Sequence, residues 1–283
     1  MAQTRVPMGG VAMTAIGVAV IRVLESERSD RLYEDPLARS FVDAARAEFA
    51  ATEAGAQRWA QLEQLADAFF AGRSMTVRLV DDGVRAALAR GCRQIVLLGA
   101  GLDTRAFRMN LPAGIRFYEI DLPELFAFKE PVLAAAGAEP TCVRHALAAD
   151  LRADWAQLLR DNDFHPDVPT HWIDEGVLGY LNRSAALQVA ETLTDLSAPG
   201  SDFGVAHFDL AAAAPHYAEL GRIVQATPAG ASEPRGLGPD AGTWLATHGW
   251  HTDFRPWNSL VAPYARGLET DDPSAGITVA VRQ

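Results

Sequence analysis

A glycine turn between two apolar segments has the residue types and spacing best suited to chemistry in this chain. The apolar run 95–98 leads into Gly99 and Gly101, and a second apolar run ends in the acidic residues Glu119 and Asp121. A strand, a tight turn, a short helix and a second strand that ends in a carboxylate form the unit that holds a cofactor ribose in many α/β proteins. The stretch therefore predicts a nucleoside-cofactor site.

The turn also bears on the kind of cofactor. A dinucleotide fingerprint needs a third glycine, three residues after the second, to seat a pyrophosphate on the next helix, and Thr104 stands there instead. Asp121 follows Gly101 by 20 residues, which matches the usual separation of turn and ribose-binding acid. A cofactor without phosphates, such as S-adenosylmethionine, fits better than a dinucleotide. The alternative is a tight strand-to-helix turn in some other α/β protein.

Two further carboxylates follow predicted strands, at the sheet edge where α/β proteins bind ligands. Asp150 comes after the strand at 141–147, where it could accept a hydrogen bond from an adenine amino group. Glu175 comes after the strand at 170–174, where it could bind a cofactor ammonium. The alternatives are structural: Asp150 or Asp154 caps the next helix, and Glu175 is a solvent-exposed cap.

The rest of the chain supplies the elements that position these residues. Apolar runs predict seven strands, at 94–98, 115–120, 141–147, 170–174, 201–209, 251–256 and 276–282. Helical spacing predicts helices at 37–50, 57–71, 75–90, 122–136, 152–160, 184–197 and 257–266. Strands that alternate with helices in this way imply βαβ units and a largely parallel sheet. Residues 211–248 are less regular, and form either a lid or a long surface excursion.

Composition argues against several classes of protein. The net charge is −11 and the sequence pI is about 5.1, whereas broad binding of nucleic acid needs a basic face. The apolar segment 11–24 contains Arg22 and is too short to span a bilayer, and no signal-peptide pattern stands out. Cys92 and Cys142 belong to no metal or disulfide motif, and no histidine spacing predicts a metal site. We therefore expect a cytoplasmic protein with no nucleic-acid, membrane or metal partner.

Several motifs, in order along the chain, resemble one protein family. They are RVLESERSDRLYEDPLARSF, GAGLDTRAFR, YEIDLPELFAFK, AADLR, DEGVLGYL and LSAPGS. Over about residues 15–210 the chain is similar to the leucine carboxyl methyltransferase-like family, with a weaker match at the C-terminal GITVAVRQ. The bacterial members are S-adenosylmethionine-dependent O-methyltransferases, many of them from secondary metabolism.

This resemblance implies an α/β architecture, the Rossmann-like fold of class I methyltransferases. Its sheet would have seven strands, mostly parallel, with an antiparallel last strand. Residues 1–283 would form one methyltransferase domain. The parts of that domain would be an N-terminal helical cap (1–93), a cofactor-binding core (94–210), a variable helical lid or substrate region (211–250) and closing strands (251–283).

The resemblance also implies which residues bind S-adenosylmethionine. Gly99, Ala100 and Gly101 would line its methionine part, and Asp121 and Leu122 its ribose. Asp150 and Leu151 would line the adenine, and Glu175 would bind the amino group.

The residue that would hold the cofactor carboxylate is harder to place. The family commonly uses a basic side chain five residues before an Asp in the helix that precedes the first strand. Counting back from Asp81 gives Thr76, which is not basic. Arg73, Arg78 and Arg22 are the candidates to replace it. The alternative for Arg22 is a surface position on an amphipathic helix.

Three residues of the motif GLDTR are assigned structural roles. Arg105 is expected to form an ion pair with a nearby acid and so to hold the turn. Asp103 and Thr104 are expected to cap the short helix that follows. None of the three is predicted to be catalytic.

The acceptor decides whether methyl transfer needs a base. A carboxylate is ionised near pH 7 and needs none, whereas a hydroxyl benefits from one. His207, at the end of the fifth predicted strand, is the best base candidate, and Asp209 could orient it; the alternative is a packed or capping histidine. Tyr180, Tyr217 and Trp244 could line an acceptor pocket, although each could equally be ordinary core.

The sequence thus predicts an S-adenosylmethionine-dependent O-methyltransferase that acts on a carboxylate or hydroxyl of a small natural-product acceptor. Two alternatives stay open: a protein or peptide carboxyl methyltransferase, and a non-catalytic cofactor-binding protein of the same fold. A nicotinamide-dependent reductase is a more distant alternative. The sequence makes no prediction of oligomeric state.

Overall fold

The computed structural model describes residues 6, 10–207 and 234–283, and these contain a seven-stranded sheet. The strands are β1 Gln94–Leu98, β2 Arg116–Asp121, β3 Val143–Ala148, β4 Thr170–Asp174, β5 Asp202–His207, β6 Trp250–Pro256 and β7 Gly276–Arg282. Their order in the sheet is β3-β2-β1-β4-β5-β7-β6. β1 to β5 pair in parallel, and β7 runs antiparallel to both β5 and β6. The predicted mostly parallel sheet with an antiparallel last strand is confirmed.

Helices connect the strands and cover the N-terminal part of the chain. They are α1 Gly10–Ser26, α2 Ala38–Phe49, α3 Glu53–Ala89, α4 Arg105–Arg108, α5 Pro123–Ala135, α6 Trp155–Asp161, α7 Arg183–Asp195, α8 Ala241–Thr247 and α9 Trp257–Val261. Short 3-10 turns span Leu178–Tyr180 and Ala262–Tyr264. The predicted helix at 257–266 is therefore shorter than expected and ends in a 3-10 turn.

The two helices predicted at 57–71 and 75–90 are wrong, because α3 is one continuous helix of 37 residues. Thr52 caps its start by accepting a hydrogen bond from the Gly55 backbone, and Gly91 ends it with φ of +94°. Gly72 lies on an exposed face between the predicted helices, and a glycine there costs the helix only about 1 kcal/mol. The break predicted between residues 71 and 75 therefore rested on periodicity alone, since no helix-terminating residue lies there.

The central strands bring the candidate site residues to one edge of the sheet. Val96 and Leu98 of β1 pack into the core on one face, and Ile95 and Leu97 into the core on the other, as expected for a buried parallel strand. Leu98 is in register with Asp174 of β4 and with Ile120 of β2. The segments that follow these three strands therefore begin side by side. The order of connections reverses between β1 and β4, which is where ligands of open α/β sheets bind.

The same described ranges contain neither a membrane-spanning helix nor a metal-binding cluster. None of the helices there combines the length and the apolar character needed to cross a bilayer. No group of three or more His, Cys, Asp or Glu side chains is arranged there to hold a metal ion. Cys92 and Cys142 are both free and buried.

Candidate cofactor and acceptor site

The glycine turn after β1 is closely packed on two sides. Gly99 and Gly101 have φ of +64° and +49°, in the left-handed region that favours glycine. A Cβ built on Gly99 would overlap the side chain of Val177, which follows β4. A Cβ on Gly101 would lie 3.1 Å from Cβ of Ala15 in α1. The turn therefore requires glycine both for its backbone conformation and for the approach of its neighbours.

Asp121 at the end of β2 is directed at this turn. Its Oδ2 accepts a hydrogen bond from the Gly101 backbone N–H at 2.6 Å, and its Oδ1 accepts one from Leu122 N–H at 2.7 Å. Burial raises the pKa of Asp121, and these two backbone hydrogen bonds oppose the rise. The structure thus places the predicted ribose-binding carboxylate and Leu122 next to the methionine-side turn.

Glu119 is the other acid at the end of β2, and it has a different environment. Its side chain is fully buried and accepts hydrogen bonds from Lys129 Nζ at 2.6 Å and Arg144 Nη2 at 2.7 Å. Arg144 also pairs with Glu130 on α5. Glu119 is therefore part of an internal ion-pair cluster that attaches β3 and α5 to β2, and Asp121 alone of the two acids faces the turn.

Arg105 lies at the centre of a buried ion-pair network behind the turn. Its Nε donates to Asp81 Oδ1 and its Nη1 to Asp103 Oδ2, at 2.7 and 2.6 Å, and Nη1 also donates to Glu175. Burial opposes the charge on Asp103, but Arg105 and Arg22 hold the pKa of that carboxyl below its usual value. The predicted ion pair of Arg105 is confirmed.

The capping roles expected beside Arg105 are only half correct. Asp103 Oδ1 accepts a hydrogen bond from the Arg105 backbone at 2.8 Å, at the start of α4. Thr104 does not cap this helix, because its hydroxyl donates to Asp35 Oδ2 at 2.7 Å. The buried Asp35 carboxylate, which the local sequence does not bring near Thr104, takes the hydroxyl away from the helix backbone.

Glu175, after β4, is held by two arginines. One carboxylate oxygen accepts from Arg105, and Arg73 Nη1 of α3 donates to the Glu175 backbone carbonyl at 3.0 Å. The second oxygen, Oε2, lies 3.6 Å from Arg73 Nη2. Within the described residues, Glu175 Oε2 and Arg73 Nε are buried and have no hydrogen-bond partner. Glu175 is therefore an inward-facing acid, not the solvent-exposed cap that was the alternative.

The three arginines proposed for the cofactor carboxylate have different positions. Arg22 is only 4% exposed, and it donates to Leu102 O at 2.9 Å and Asp103 Oδ2 at 3.2 Å, so it lies behind the turn and not on the surface. Arg73 contacts Glu175, as above. Arg78 instead donates to Asp82 at 3.0 Å and packs over the Tyr264 ring. The structure brings Arg22 and Arg73 to the site, but not Arg78.

The adenine-side residues lie beyond β3. Asp150 forms a hydrogen-bonded ion pair with Arg152, which lowers its pKa, and Leu151 is buried in the core. Asp154, not Asp150, caps α6, because its side chain accepts a hydrogen bond from the Gln157 backbone. The helix-capping alternative for Asp150 is therefore wrong, and its adenine role stays a prediction.

The base candidate His207 faces away from the turn. Its Nε2 lies 2.8 Å from Thr278 Oγ1 in β7, and its ring is 6.0 Å from that of Phe254 in β6. Both strands lie on the far side of β5 from β1 and β4. Burial lowers the pKa of His207, which favours the neutral imidazole. Asp209, its suggested partner, lies outside the described residues.

The candidate acceptor residues are dispersed. Tyr180 ends the 3-10 turn after Glu175, and its backbone N–H donates to Val177 O at 3.0 Å. Trp244 stacks on His248 within the α8 region, with ring centroids 3.8 Å apart. Tyr217 lies outside the described residues. Of the two that the structure describes, Tyr180 is on the segment that borders the glycine turn and Trp244 is not.

Asp174 also lies at this site, although the sequence analysis assigned it no role. Its Oδ1 accepts from the backbone N–H groups of Gly176 at 2.8 Å and Leu178 at 3.3 Å. These bonds hold the segment whose Val177 packs on Gly99. Burial raises the pKa of Asp174. The available signal was its place as the last residue of a strand that ends in two acids.

The residues present fit S-adenosylmethionine. Its amino-acid part carries an ammonium, which needs an acceptor, and a carboxylate, which needs donors. Glu175 Oε2 and Arg73 Nε are a buried acceptor and a buried donor whose hydrogen bonds the described residues leave unmade. Asp121 supplies a carboxylate on the other side of the turn, where ribose hydroxyls would donate to it.

Comparison with known proteins gives the same picture. A leucine carboxyl methyltransferase family model matches residues 15–194. A protein of Parafrankia sp. (strain EAN1pec), named as an S-adenosyl-L-methionine-dependent methyltransferase, is 39% identical over 97% of this chain and 87% of its own length. A protein of the same designation from Frankia alni is 39% identical over 99% of this chain and 97% of its own.

Two crystal structures share the fold at low sequence identity. A methyltransferase structure from Thermobifida fusca has a TM-score of 0.51 and 18% identity, covering 97% of this chain and 95% of its own. A DUF574 family protein from Streptomyces avermitilis has a TM-score of 0.53 and 17% identity, covering 94% and 97%. The family assignment rests on the match over residues 15–194 and on the 39% identity to the Parafrankia and Frankia proteins. The chain belongs to the leucine carboxyl methyltransferase family and is an S-adenosylmethionine-dependent methyltransferase.

Proposed function

We propose that this methyltransferase modifies a carboxylate oxygen of a small-molecule acceptor. The observation that carries this proposal is the position of His207, which is hydrogen-bonded to Thr278 on the far side of β5 from the glycine turn. A carboxylate is ionised near pH 7 and is nucleophilic without a base. The description of the matching family, leucine carboxyl methyltransferase, supports the same acceptor group.

The chain's own residues would contribute mainly by positioning. When bound, S-adenosylmethionine supplies an electrophilic methyl group. Glu175 and Arg73 would hold its amino-acid end, Asp121 its ribose, and Asp150 with Leu151 its adenine. Val177 and α1, packed on the turn, would exclude water from that side of the site. Alignment of reactants in this way lowers a barrier by about 7–11 kcal/mol in favourable cases.

The acceptor class can be tested through the product. Purified protein would be incubated with methyl-labelled cofactor and a panel of small carboxylic acids, phenols, alcohols and peptides with free C-termini. We expect labelled products from one or more small acids, and the label should be released by mild base because methyl esters hydrolyse where methyl ethers do not. A base-stable product would refute the carboxylate, and methylation of peptides but of no small acid would refute the small acceptor.

Asp174 favours a second candidate, transfer to a hydroxyl. Its carboxyl lies at the carboxyl end of β4, next to Glu175, and burial raises its pKa, which suits a general base. Asp174→Asn keeps an oxygen for the Gly176 and Leu178 N–H groups but removes the base. It should slow transfer to a hydroxyl by about 100-fold or more and leave transfer to a carboxylate nearly unchanged. His207→Gln is the matched comparison for the other base candidate.

We also propose a cytoplasmic enzyme of secondary metabolism. The free, buried thiols of Cys92 and Cys142 and the actinobacterial relatives support this setting. Disruption of the gene should remove one or more methyl esters from the metabolite profile of the source organism. A change confined to C-terminally methylated proteins would contradict it.

A further inference from the structure

Buried polar atoms without partners are concentrated in one region of the molecule. In the described part of the chain, nine buried side-chain nitrogen or oxygen atoms lack a hydrogen-bond partner. Seven of them lie around the C-terminal half of α1, the loop after it, α3 and the glycine turn: Arg22 Nε, Glu25 Oε2, Tyr33 OH, Arg73 Nε, Ser74 Oγ, Arg108 Nε and Glu175 Oε2. Because buried polar groups are almost always hydrogen-bonded, such a concentration indicates where the polar groups of a ligand enter.

Five of these seven side chains, those of Arg22, Tyr33, Arg73, Arg108 and Glu175, are joined by ion pairs and a ring contact. Arg105 contacts both Asp81 and Glu175, and Arg108 contacts Asp81 and lies over the ring of Tyr33 at 5.4 Å. Tyr33 is 7% exposed and sits on the loop between α1 and α2. The chain of contacts therefore runs without interruption from Glu175 at the turn to Tyr33.

Two neutral hydroxyls stand out in this cluster. Ser74 is 2% exposed and follows Arg73 on α3, and its hydroxyl lies near that of Tyr33 without a hydrogen bond of ordinary geometry between them. Burial raises the pKa of Tyr33 to about 12, against the opposing effects of Arg22 and Ser74. The Tyr33 hydroxyl therefore keeps its proton at physiological pH and remains a hydrogen-bond donor.

The charges of the cluster suit a zwitterion better than an isolated anion or cation. Four arginines face four acids in mutual ion pairs: Arg22, Arg73, Arg105 and Arg108 against Asp35, Asp81, Asp103 and Glu175. Glu25 is paired separately with Arg266. A ligand group with one positive and one negative charge enters such a balanced site without leaving a net buried charge.

We propose that Tyr33 and Ser74 donate the hydrogen bonds that hold the carboxylate of the cofactor's methionine part, together with Arg73 Nε. Thr76 is not available for this, because its hydroxyl donates to the Arg73 backbone carbonyl at 2.9 Å. The site thus replaces a single basic side chain with a pair of buried hydroxyls beside an arginine. The inference concerns the cofactor and is independent of the acceptor proposed above.

The test compares two cofactor products that differ only at the amino-acid end. Dissociation constants would be measured by calorimetry for S-adenosylhomocysteine and for 5′-methylthioadenosine, which lacks both the carboxylate and the ammonium. Tyr33→Phe and Ser74→Ala should each weaken binding of S-adenosylhomocysteine by about 10-fold or more, the usual effect of losing a hydrogen bond to a charged group. Binding of 5′-methylthioadenosine should change by less than about twofold.

A matched control removes the same hydroxyl elsewhere. Tyr118→Phe deletes a buried phenol that donates to Asp163 O at 2.8 Å, in the core on the opposite face of β1 from α3. It should leave the ratio of the two dissociation constants unchanged. Thermal unfolding of each variant checks that it is folded.

Decarboxylated S-adenosylhomocysteine separates the carboxylate from the ammonium. Because this ligand lacks only the carboxylate, Tyr33→Phe and Ser74→Ala should not weaken its binding. Equal losses for all three ligands, or an unchanged affinity for S-adenosylhomocysteine, would overturn the proposal. Since no acceptor is present in these assays, failure of the proposed acceptor would leave them unaffected.

Discussion

Replacement of Asp121 gives the sharpest test of how the site holds its cofactor. Its two carboxylate oxygens accept hydrogen bonds from the backbone N–H groups of Gly101 and Leu122 at 2.6 and 2.7 Å. We propose that the remaining lone pairs of the same oxygens accept hydrogen bonds from the ribose hydroxyls. A hydrogen bond to a charged group contributes about 1.5–3 kcal/mol. Asp121→Asn should therefore weaken binding of S-adenosylhomocysteine by about 10- to 150-fold.

The assay must separate a lost ribose contact from a distorted turn. In Asp121→Asn the amide NH2 meets one of the two backbone N–H groups, which should also lower the free energy of unfolding by about 1–2 kcal/mol. Calorimetry would therefore be repeated with an S-adenosylhomocysteine analogue that lacks both ribose hydroxyls. The wild type should bind this analogue more weakly than S-adenosylhomocysteine. Asp121→Asn should bind the two ligands with nearly equal affinity, because it has already lost the ribose contact.

The control is an exposed acid of the same type. Asp163→Asn removes a carboxylate that pairs with Arg116 on the surface, and it should not change either affinity. If Asp121→Asn weakens the analogue as much as it weakens S-adenosylhomocysteine, the carboxylate serves the turn and not the ribose, and its assignment as the ribose ligand is refuted.

Three further predictions follow from the same contacts. Because burial raises the pKa of Asp121, affinity for S-adenosylhomocysteine should fall as the pH is lowered through that pKa, whereas the contribution of this group to folding stability should rise. Calorimetry and urea unfolding of the wild type and of Asp121→Asn would measure both effects. The same pH dependence in the two proteins would show that another group is responsible. Gly99→Ala should lower the free energy of unfolding by about 3 kcal/mol or more, because φ is +64° and the new Cβ overlaps Val177. Gly114→Ala is the control, because a Cβ at that position meets nothing within 4 Å. Equal losses of stability in the two variants would contradict the packing argument. Lys129→Met should lower the free energy of unfolding by about 3 kcal/mol, because it leaves the buried Glu119 carboxylate with Arg144 as its remaining partner. The folded variant should bind S-adenosylhomocysteine as the wild type does. A loss of binding without a loss of stability would place this ion pair in the cofactor site.

Much of the fold could be predicted from the sequence because the signals are local. Each of the seven observed strands begins and ends within two residues of its predicted position, since strands are short apolar or alternating runs bounded by turn residues. The conformation of Gly99 and Gly101 and the spacing to Asp121 are also properties of one short stretch. The helix break predicted between 71 and 75 failed because it rested on a pause in periodicity with no terminating residue.

The tertiary structure decided which side chains meet. Arg73 and Glu175 are 102 residues apart, so no local pattern indicates that they meet. Glu119 and Asp121 look alike in the sequence, but the approach of Lys129 and Arg144 makes one an internal ion-pair partner and leaves the other facing the turn. His207 stands at the predicted end of β5, yet pairing with β7 directs its ring to Thr278. The sequence by itself determined the strands, the turn and the kind of cofactor, because these depend on neighbours along the chain. The partners of each charged or polar side chain depend on how distant strands and helices pack, and only the folded chain decided them.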